Sequence, residues 1–517
     1  MSASREKKSR QGKTEELSER QLKAQQEAAQ AKRNTIIYTI IGVVSAVLVA
    51  ALLIWNSGFF QNRVGAVVIG GKTYTVADMQ YYYGQIYSHY YSQAQAGMID
   101  NLDYELPAED QMYDEEEGKT WKDFILEESV HAMSEIKALV AYAEKEGYKM
   151  SEAGEQTVRE NMDSLTAESA KNGFTTVNSF LKTVYGNAMT KARFEQIVRE
   201  SVIASETRTR YEQALTYTDG QMNDFYLEHR DEMDLFEYNC LYFNMTVTPT
   251  KNEAGEYVDP TDADKEAAKQ TAMDRADKAK KELDSGAVFN TVADQFAGDI
   301  RVAVSADQSY LGYELNTLFA EWMQDDERKG GDVTVLEAED GKGIYLVQFL
   351  NRGRSEEITA DVRHVFIAAD KDEGADQPTE EQYAAAKEKA QKLLDEWKTA
   401  GATEELFIEM VEKESADTAS VANGGLYESI SSLDGYVKSF TDWALDPARK
   451  AGDTGLVQNT DSSIQGWHIM YYVAPNEALW KLDADGAMRA EDLDEWMHEL
   501  TEELGVTVLD GINNLGA

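Results

Sequence analysis

The chain has 517 residues and a formal net charge of −44, from 94 acidic and 50 basic side chains. This length allows about three or four compact domains, and so acidic a chain excludes a general phosphate-binding surface, which would be basic. Cys240 is the only cysteine, so the chain has neither an intramolecular disulfide nor a cysteine-based metal site. Because the chain is so acidic, we expect no nucleic-acid partner.

Residues 36–55 form an uncharged and almost wholly apolar run. As a helix, about twenty residues would span roughly 30 Å, the thickness of a hydrocarbon core. Residues 1–34 carry nine Lys or Arg against five Asp or Glu, and the positive-inside rule keeps such a tail in the cytoplasm. We predict a cytoplasmic tail over 1–35, a single transmembrane anchor over 36–55 in the cell membrane, and export of the remainder. A cleaved signal peptide is the alternative, although its charged and apolar regions are usually shorter.

A hairpin and a tyrosine-rich helix are predicted at the start of the exported part. Val64–Ile69 and Lys72–Val76 are rich in β-prone residues and flank the turn signal Gly-Gly. The helix that follows carries six tyrosines: Tyr81, Tyr82, Tyr83, Tyr87, Tyr90 and Tyr91. Because Tyr combines apolar area with a polar tip, these could line a peptide-binding surface, but we favour a core face of a helical domain.

Helix signals dominate the rest of the stretch to residue 233. Residues 101–118 carry eight Asp or Glu and are expected to form an exposed loop. Thr120-Trp-Lys-Asp123 resembles a capping box, and it opens a helix that Gly147 ends. Further helices are predicted over 151–172, 176–185, 190–215 and 219–233. Three histidines stand singly in these helices and are not expected to bind a metal: His89, His131 and His229.

The second half of the chain contains an internal repeat. Residues 319–332, Phe-Ala-Glu-Trp-Met-Gln-Asp-Asp-Glu-Arg-Lys-Gly-Gly-Asp, align with residues 440–453, Phe-Thr-Asp-Trp-Ala-Leu-Asp-Pro-Ala-Arg-Lys-Ala-Gly-Asp. The offset is 440 − 319 = 121 residues, and flanking matches have similar offsets. This agreement predicts two copies of one domain, over 234–352 and 359–475.

Each copy has the pattern strand, two helices, short strand, helix and two closing strands. In the second copy we place these elements at about 362–368, 380–399, 403–413, 425–428, 440–449, 455–458 and 467–473. The pattern predicts an α+β unit in which helices surround a small, mainly antiparallel sheet. Polar insertions at 248–265 and 369–381 are expected to be surface loops.

Two histidines beside β-prone runs bracket the second copy, His364 in Val-Arg-His-Val-Phe-Ile and His468 in Gly-Trp-His-Ile-Met. Asp417 in Ser-Ala-Asp and the pair Gly424-Gly425 lie between them. This layout resembles a parvulin-type peptidyl-prolyl isomerase domain. The resemblance implies that His364 and His468 are the family's paired histidines, and that Asp417 stands where the family has Cys or Asp facing the substrate amide. These three residues are the candidate catalytic residues.

The same resemblance indicates five candidate substrate contacts. Leu426 and Phe440 match the family's apolar proline pocket, and the pocket's usual Met falls on Tyr436 or Val437. Phe366 is the fifth candidate. The substitution of this Met, a short Gly-Gly-Leu-Tyr segment and a longer loop over 459–465 depart from the family pattern and leave the shape of the pocket open.

The first copy keeps an aspartate, Asp299, at the Asp417 position but has lost both histidines. One histidine position falls on Asn239 or Cys240, and the other falls on Tyr345. We therefore interpret residues 234–352 as a degenerate parvulin-like module that spaces or binds, with Cys240 a small buried residue on a strand.

The domain order resembles that of SurA- and PrsA-type foldases, in which a strand pair and a helix cluster precede the parvulin modules. The resemblance makes residues 65–233 a helical, SurA-N-like chaperone domain. Residues 476–517 are predicted to form an amphipathic helix, over about 488–504, and a final strand. The resemblance implies that this segment returns to pack on the helical domain.

From these features we expect a membrane-anchored, extracytoplasmic foldase without cofactor or metal. Residues 359–475 would isomerise X-Pro bonds, while the helical domain and the degenerate module hold unfolded or partly folded exported polypeptides. The alternative is a non-enzymatic holdase whose parvulin modules only bind peptide, and a structural or signalling partner of a membrane complex is a third hypothesis. The sequence specifies neither the clients nor the oligomeric state.

Overall fold

The computed structural model describes residues 39, 41–50, 57–251, 255, 257–299, 301–372, 374–460 and 464–516. The predicted cytoplasmic tail lies outside the described residues. Of the predicted anchor, 36–55, only residues 39 and 41–50 are described, and 41–50 are helical (α1). Among the helices of the described part, none combines the length and the apolarity that a membrane span requires.

Helices predominate in the chain up to residue 233, and each repeat after it mixes helices with strands. Up to residue 233 the elements are β1 (Gly65–Ile69), β2 (Lys72–Thr75), α2 (Val76–Gln95), β3 (Met112–Asp114), β4 (Lys119–Thr120), α3 (Trp121–Glu146), α4 (Glu152–Lys171), α5 (Val177–Tyr185), α6 (Lys191–Ala214), α7 (Asp219–Glu228) and α8 (Arg230–Met233). The first repeat contains β5 (Leu235–Asn244), β6 (Thr250–Lys251), β7 (Tyr257–Val258), α9 (Asp262–Asp284), α10 (Phe289–Ala293), β8 (Val302–Leu311), α11 (Thr317–Gln324), β9 (Val333–Glu337) and β10 (Gly343–Gly353). The second repeat and the chain end contain β11 (Ile358–Ala368), α12 (Glu380–Ala400), α13 (Glu404–Glu414), α14 (Thr418–Val421), β12 (Leu426–Ile430), α15 (Lys438–Ala444), β13 (Thr454–Asn459), β14 (Gly466–Ala478), α16 (Leu479–Leu504) and β15 (Val506–Val508).

The chain forms two compact units, Met1–Leu215 together with Asp492–Ala517, and Thr216–Glu491. In the first unit, a three-stranded antiparallel sheet has the strand order β15-β1-β2. The pairing of β15 with β1 joins the last residues of the chain to the strands near residue 65. Helices α2 and α3 pack on this sheet and bury Met79, Ile125 and Met133 in its core.

The tyrosines of α2 form a core face, as predicted. Tyr82 and Tyr83 are buried. The other four, Tyr81, Tyr87, Tyr90 and Tyr91, are partly buried against the same hydrophobic core. Their rings provide the apolar area that a small helical core needs. The hydroxyl of Tyr82 is buried without a hydrogen-bond partner among the described residues.

Capping chemistry sets the ends of α3. Thr120 and Asp123 form the predicted capping box, and Gly147 ends the helix in the left-handed conformation, with φ at 72°.

Two other predictions need correction. The acidic segment 101–118 is not only a loop, because it contains β3 and part of a hairpin with β4. The helix predicted over 219–233 is interrupted at His229, whose φ of −106° and ψ of 26° leave the helical conformation.

The second unit contains two four-stranded antiparallel sheets with equivalent strand orders, β8-β5-β10-β9 and β12-β11-β14-β13. In each sheet the first and last long strands of the repeat are the central pair. Helices α12 and α13 cover one face of the second sheet and enclose Val365, Ile367 and Ile469. Helix α15 covers part of the opposite face, around Val362 and Met470. Small antiparallel sheets surrounded by helices agree with the predicted α+β class.

Candidate active site

The two candidate histidines lie on the central strands of the second sheet. His364 is on β11 and His468 is on β14, where it pairs directly with Phe366. Because side chains two residues apart share a face of a strand, the two imidazoles are diagonal neighbours on one face. Their residues are 3% and 8% exposed, respectively.

A chain of hydrogen bonds joins the three candidate catalytic residues. The Nδ1 atoms of His364 and His468 are 2.9 Å apart, and Nε2 of His364 is 2.8 Å from Oδ2 of Asp417. The same carboxylate oxygen accepts hydrogen bonds from the hydroxyls of Ser420 at 2.5 Å and Tyr427 at 3.0 Å. Asp417 is the N-cap residue of α14, and its side chain accepts a hydrogen bond from the backbone N–H of Ala419. Its orientation is therefore fixed from several sides.

The environment separates the protonation states of these groups. The hydrogen bond from His364, together with those from Ser420 and Tyr427, holds the pKa of Asp417 well below its ordinary value, although burial opposes this. Burial and the neighbouring His364 lower the pKa of His468 to about 3. Burial and the bond to Asp417 raise the pKa of Tyr427 to about 12. Asp417 is thus ionised at neutral pH, while His468 and Tyr427 are neutral.

These states restrict where the protons sit. The ionised Asp417 can only accept, so Nε2 of His364 carries a proton. The contact between the two Nδ1 atoms holds one further proton, which either histidine can donate. If His468 donates it, Nε2 of His468 is an acceptor. If His364 donates it, a neutral His468 carries its proton on Nε2, and the pair then holds one proton more in total. That Nε2 atom is buried and has no hydrogen-bond partner among the described residues.

Aromatic rings surround the histidine pair on the same face. The Phe440 ring lies 5.4 Å from the His364 ring and 5.3 Å from the His468 ring, between centroids. Phe366 is 4.7 Å from His468, and Tyr436, which is 44% exposed, is 5.8 Å from Phe440. The structure therefore places two buried phenylalanines, Phe440 and Phe366, beside the histidine pair, and the half-exposed Tyr436 beside Phe440.

Val437 and Leu426 complete the set of predicted contacts. Val437 is partly buried against the cluster that contains Phe440. Leu426 is not brought to the histidines, because it pairs with Arg363, whose side chain bonds to Glu404 on the opposite face of the sheet. A prediction that places Leu426 in the pocket therefore needs correction.

Tyr427 takes the place that sequence reasoning gave to Leu426. It pairs with Val362 on the histidine side of the sheet, and its ring is 5.1 Å from His364. Its hydroxyl also holds Asp417. Ser420, three residues after Asp417, was missed as well. Their sequence signals are an aromatic residue after Gly-Gly-Leu and a hydroxyl one turn after the aspartate.

The first sheet has Cys240 and Tyr345 at the positions that pair like His364 and His468 in the second sheet. Cys240 and Tyr345 are in one hydrophobic cluster on the face that α11 covers, whereas Asn239 bonds to Gln348 at 3.0 Å. Cys240 rather than Asn239 thus occupies the His364 position. Burial raises the pKa of the Cys240 thiol to about 12, so it is neutral.

The aspartate of this module is also differently used. Asp299 forms an ion pair with Arg275, at 2.6 Å between Nη1 and Oδ2, and accepts a hydrogen bond from the backbone of Arg301. Its carboxylate therefore belongs to no histidine chain. Among the described residues, no group of three or more His, Cys, Asp or Glu side chains is arranged so that it could hold a metal ion.

Comparisons with known proteins bear on the second repeat above all. Residues 364–474 match the family model described as "Rotamase: PPIC-type PPIASE domain". No curated protein sequence matches the chain significantly. Seventeen chains of solved structures do match.

Three of these structures illustrate the similarity. PrsA from Bacillus subtilis is 11% identical, with 77% of this chain and 92% of that chain covered and a TM-score of 0.25. The peptidylprolyl isomerase PrsA from Bacillus anthracis is 17% identical over 29% of this chain and 59% of its own length, at 0.17. A structure of SurA-like chaperones from Campylobacter jejuni is 14% identical over 50% of this chain and 96% of its own, at 0.16.

Such TM-scores are too low to carry an argument, so the assignment rests on the matched family and on the residues it contains. The match begins at His364 and includes Asp417, Phe440 and His468. These are the residues that form the hydrogen-bonded chain and the aromatic group beside it. Residues 364–474 of this chain are therefore a parvulin-type peptidyl-prolyl isomerase domain.

Proposed function

We propose that the chain is a membrane-anchored, extracytoplasmic foldase whose residues 359–475 isomerise X-Pro bonds of exported polypeptides. The observation that carries the catalytic part is the hydrogen-bonded chain Asp417–His364–His468, whose two histidines are buried on one sheet face beside Phe440. The apolar run at 36–55 and the basic tail before it support the anchor and its orientation. Unfolded or partly folded exported polypeptides are the proposed clients.

The reaction needs positioning and electrostatics but no bond breaking. Twisting an X-Pro amide costs ~18–20 kcal/mol because it destroys amide resonance. A catalyst must bind the twisted amide better than either planar form. Phe440, Tyr436 and Phe366 would hold the proline ring on an apolar surface. Removing water from the carbonyl also weakens the hydrogen bonding that favours the planar amide.

The polar chain below the rings would set the field at the amide. Asp417 supplies a fixed negative charge. Its hydrogen bond orients and polarises His364, and the bond between the two histidines does the same for His468. Preorganised groups in a low-dielectric site act strongly because they need no reorganisation during the reaction. In this scheme Nε2 of His468 is an acceptor while the pair shares one proton, and it becomes a donor only when the pair takes up a further proton from solvent.

The test is prolyl isomerisation of an unphosphorylated Ala-X-Pro-Phe-type peptide by the full-length chain. Wild type is compared with His364→Ala, His468→Ala and Asp417→Ala, with circular dichroism as the check on folding. We expect acceleration that drops by at least tenfold in each folded variant. If several peptides show no acceleration by the wild type, the catalytic proposal is wrong.

A second candidate function is that of a holdase which only binds peptide. The first module favours it for that part of the chain, because Cys240 and Tyr345 replace both histidines and Asp299 is engaged by Arg275. Suppression of the aggregation of an unfolded client distinguishes the two. A pure holdase would protect the client equally in wild type and His364→Ala, and the wild type would not accelerate proline isomerisation.

A further inference from the structure

Two exposed valines lie on the core face of the sheet in the first unit. Val506 and Val508, both on β15, are 39% and 55% exposed. They pair directly with Ile69 and Val67, which are both buried. Directly paired residues of antiparallel strands place their side chains on the same face. The buried face of the sheet therefore continues across β15 and is left uncovered there.

The backbone of β15 has an open edge. It pairs with β1, and no other strand of the described residues lies on its far side. Gly505 and Leu509 bond to the β1 side, through Gly505 O at 3.1 Å and Leu509 N at 2.9 Å. Because bonding alternates along an antiparallel strand, the N–H and C=O groups of Val506 and Val508 point to the open edge. Such an edge can accept another strand.

A groove of about 940 Å³ lies beside this edge. Leu126 and Val130 of α3 and Ile512 after β15 form its apolar lining, together with the two exposed valines. Ligand sites usually enclose roughly 300–1,000 Å³, so the groove can hold several side chains. A strand added ~4.8 Å from β15 would place every second side chain over this groove.

The charged residues of the groove are acidic. Asp123, Glu127 and Glu502 line it, and no Lys or Arg does so within the described residues. One of these carboxylates, that of Glu127, is bonded to Lys119. Two histidines also line the groove, but His498 contacts Glu502 at 3.4 Å and His131 is 4.0 Å from Glu135. A basic segment complements this rim, whereas a second copy of the chain would bring the same acidic residues against it.

We propose that β15 is a docking strand for extended segments of client polypeptides. Such a segment would add as a fourth strand on the open edge, with apolar residues at alternate positions in the groove and Lys or Arg at its ends. Main-chain hydrogen bonds make this mode tolerant of sequence, while the groove and the acidic rim select the pattern. The proposed function is needed only to identify the docked segment as part of a client polypeptide.

The test uses a fluorescent, proline-free peptide, Lys-Val-Thr-Val-Thr-Val-Lys, and the full-length chain in a mild detergent. Binding is followed by fluorescence anisotropy in wild type, Val508→Lys and a matched control, Val184→Lys. Val184 is 51% exposed on α5 and does not line the groove. We expect the Kd to rise at least tenfold in Val508→Lys and to stay within twofold in the control. A Glu-flanked version of the peptide should bind at least tenfold more weakly to the wild type.

Hydrogen exchange supplies a second readout that does not depend on a variant folding. When the peptide binds to the wild type, two additional amides in the segment 504–510, those of Val506 and Val508, should become protected from exchange. The proposal is overturned if Val508→Lys binds normally, if protection appears only elsewhere, or if the chain dimerises through β15 without peptide. Isomerisation of an Ala-X-Pro-Phe peptide separates this proposal from the catalytic one. Val508→Lys should keep that activity, and His364→Ala should keep binding of the proline-free peptide.

Discussion

One carboxylate oxygen of Asp417 accepts hydrogen bonds from three side chains, those of His364, Ser420 and Tyr427. Bonds to a charged group are each worth about 1.5–3 kcal/mol, so the negative charge matters more here than the shape of the residue. Asp417→Asn keeps the shape and removes the charge. We expect kcat/KM for X-Pro isomerisation to fall about 10²-fold, in the range found when one preorganised electrostatic group is lost.

The first module offers a matched control for that variant. Asp299 occupies the equivalent position but pairs with Arg275. Asp299→Asn removes the same charge from the same chain without touching the histidines, so activity should remain within twofold of wild type. Equal losses in both variants would indicate a general effect of net charge and would contradict the role given to Asp417.

His468 gives the chain a pH-dependent stability. Its pKa falls from 6.5 to about 3 on folding. Between these values the unfolded chain binds a proton that folded His468 does not, so the free energy of unfolding decreases as the pH falls. Asp417, whose pKa is also lowered, adds a loss only at more acidic pH, below the ordinary value for Asp.

This leads to a prediction for His468→Asn, which cannot titrate. The urea midpoint of wild type should drop between pH 7 and pH 5, and the variant should lose part of that drop. Circular dichroism at both pH values measures it. The two proteins differ only at position 468, so the difference between the two drops is assigned to His468. Identical drops would mean that His468 titrates as in the unfolded chain.

At the scale of elements, the segment before β12 fits closely under β11. Gly425 has φ at 72°, in the left-handed region, and a Cβ there would overlap the carbonyl oxygen of His364 and lie 2.9 Å from Val411. The backbone N–H of His364 also donates to the Gly425 carbonyl at 2.9 Å. The position therefore helps to set where β11 and His364 lie.

Gly425→Ala should destabilise the domain and displace His364. Left-handed strain costs about 1–2 kcal/mol, and overpacking adds about 1–3 kcal/mol. The matched variant is Gly452→Ala, where φ is 87° but no atom lies within 4 Å of the added Cβ, so only the strain applies. Thermal unfolding and kcat/KM are measured for both. A Gly425→Ala protein no worse than Gly452→Ala would contradict the close fit.

Sequence patterns predicted elements well wherever a local signal sets their ends. Predictions of 380–399 and 403–413 differ by about one residue from α12 and α13, Glu380–Ala400 and Glu404–Glu414. The helix predicted over 440–449 instead ends at Ala444. Pro447 explains this, because a proline disfavours helical conformation in the residue before it and interrupts the hydrogen-bond pattern.

Which face of a strand a residue occupies was harder to predict. A shift of one residue in register moves every side chain to the other face. The alternatives Asn239 and Cys240, and the choice between Leu426 and Tyr427, each differ by one position. Strand pairing resolves both, since it places Cys240 and Tyr427 on the face that holds the aromatic cluster. His364 lies two residues before Phe366, which pairs with His468, so the pairing of β11 with β14 puts both histidines on one face.

At the scale of the whole molecule, the chain leaves its first unit at residue 215 and re-enters it at residue 492. The re-entering segment supplies β15 and closes one side of the first sheet. Removal of the last residues would therefore expose β1 as well as delete β15. A chain shortened at its C-terminus tests folding of the first unit, whereas a point substitution such as Val508→Lys tests docking on β15.

The net charge of −44 gives a last prediction, on the salt dependence of client capture. A field of this sign raises the local concentration of cations and their rate of association, and the screening length shrinks from about 30 Å at 0.01 M to about 3 Å at 1 M ionic strength. For a Lys-flanked X-Pro peptide, KM should rise roughly tenfold over that range, within the effects known for electrostatic steering. A Glu-flanked peptide should show the reverse trend. For both peptides kcat should change little, because the partly buried Asp417 and the buried His364 and His468 are screened less than surface charges. If KM for the Lys-flanked peptide is independent of salt, the acidic surface plays no part in bringing clients to the isomerase domain.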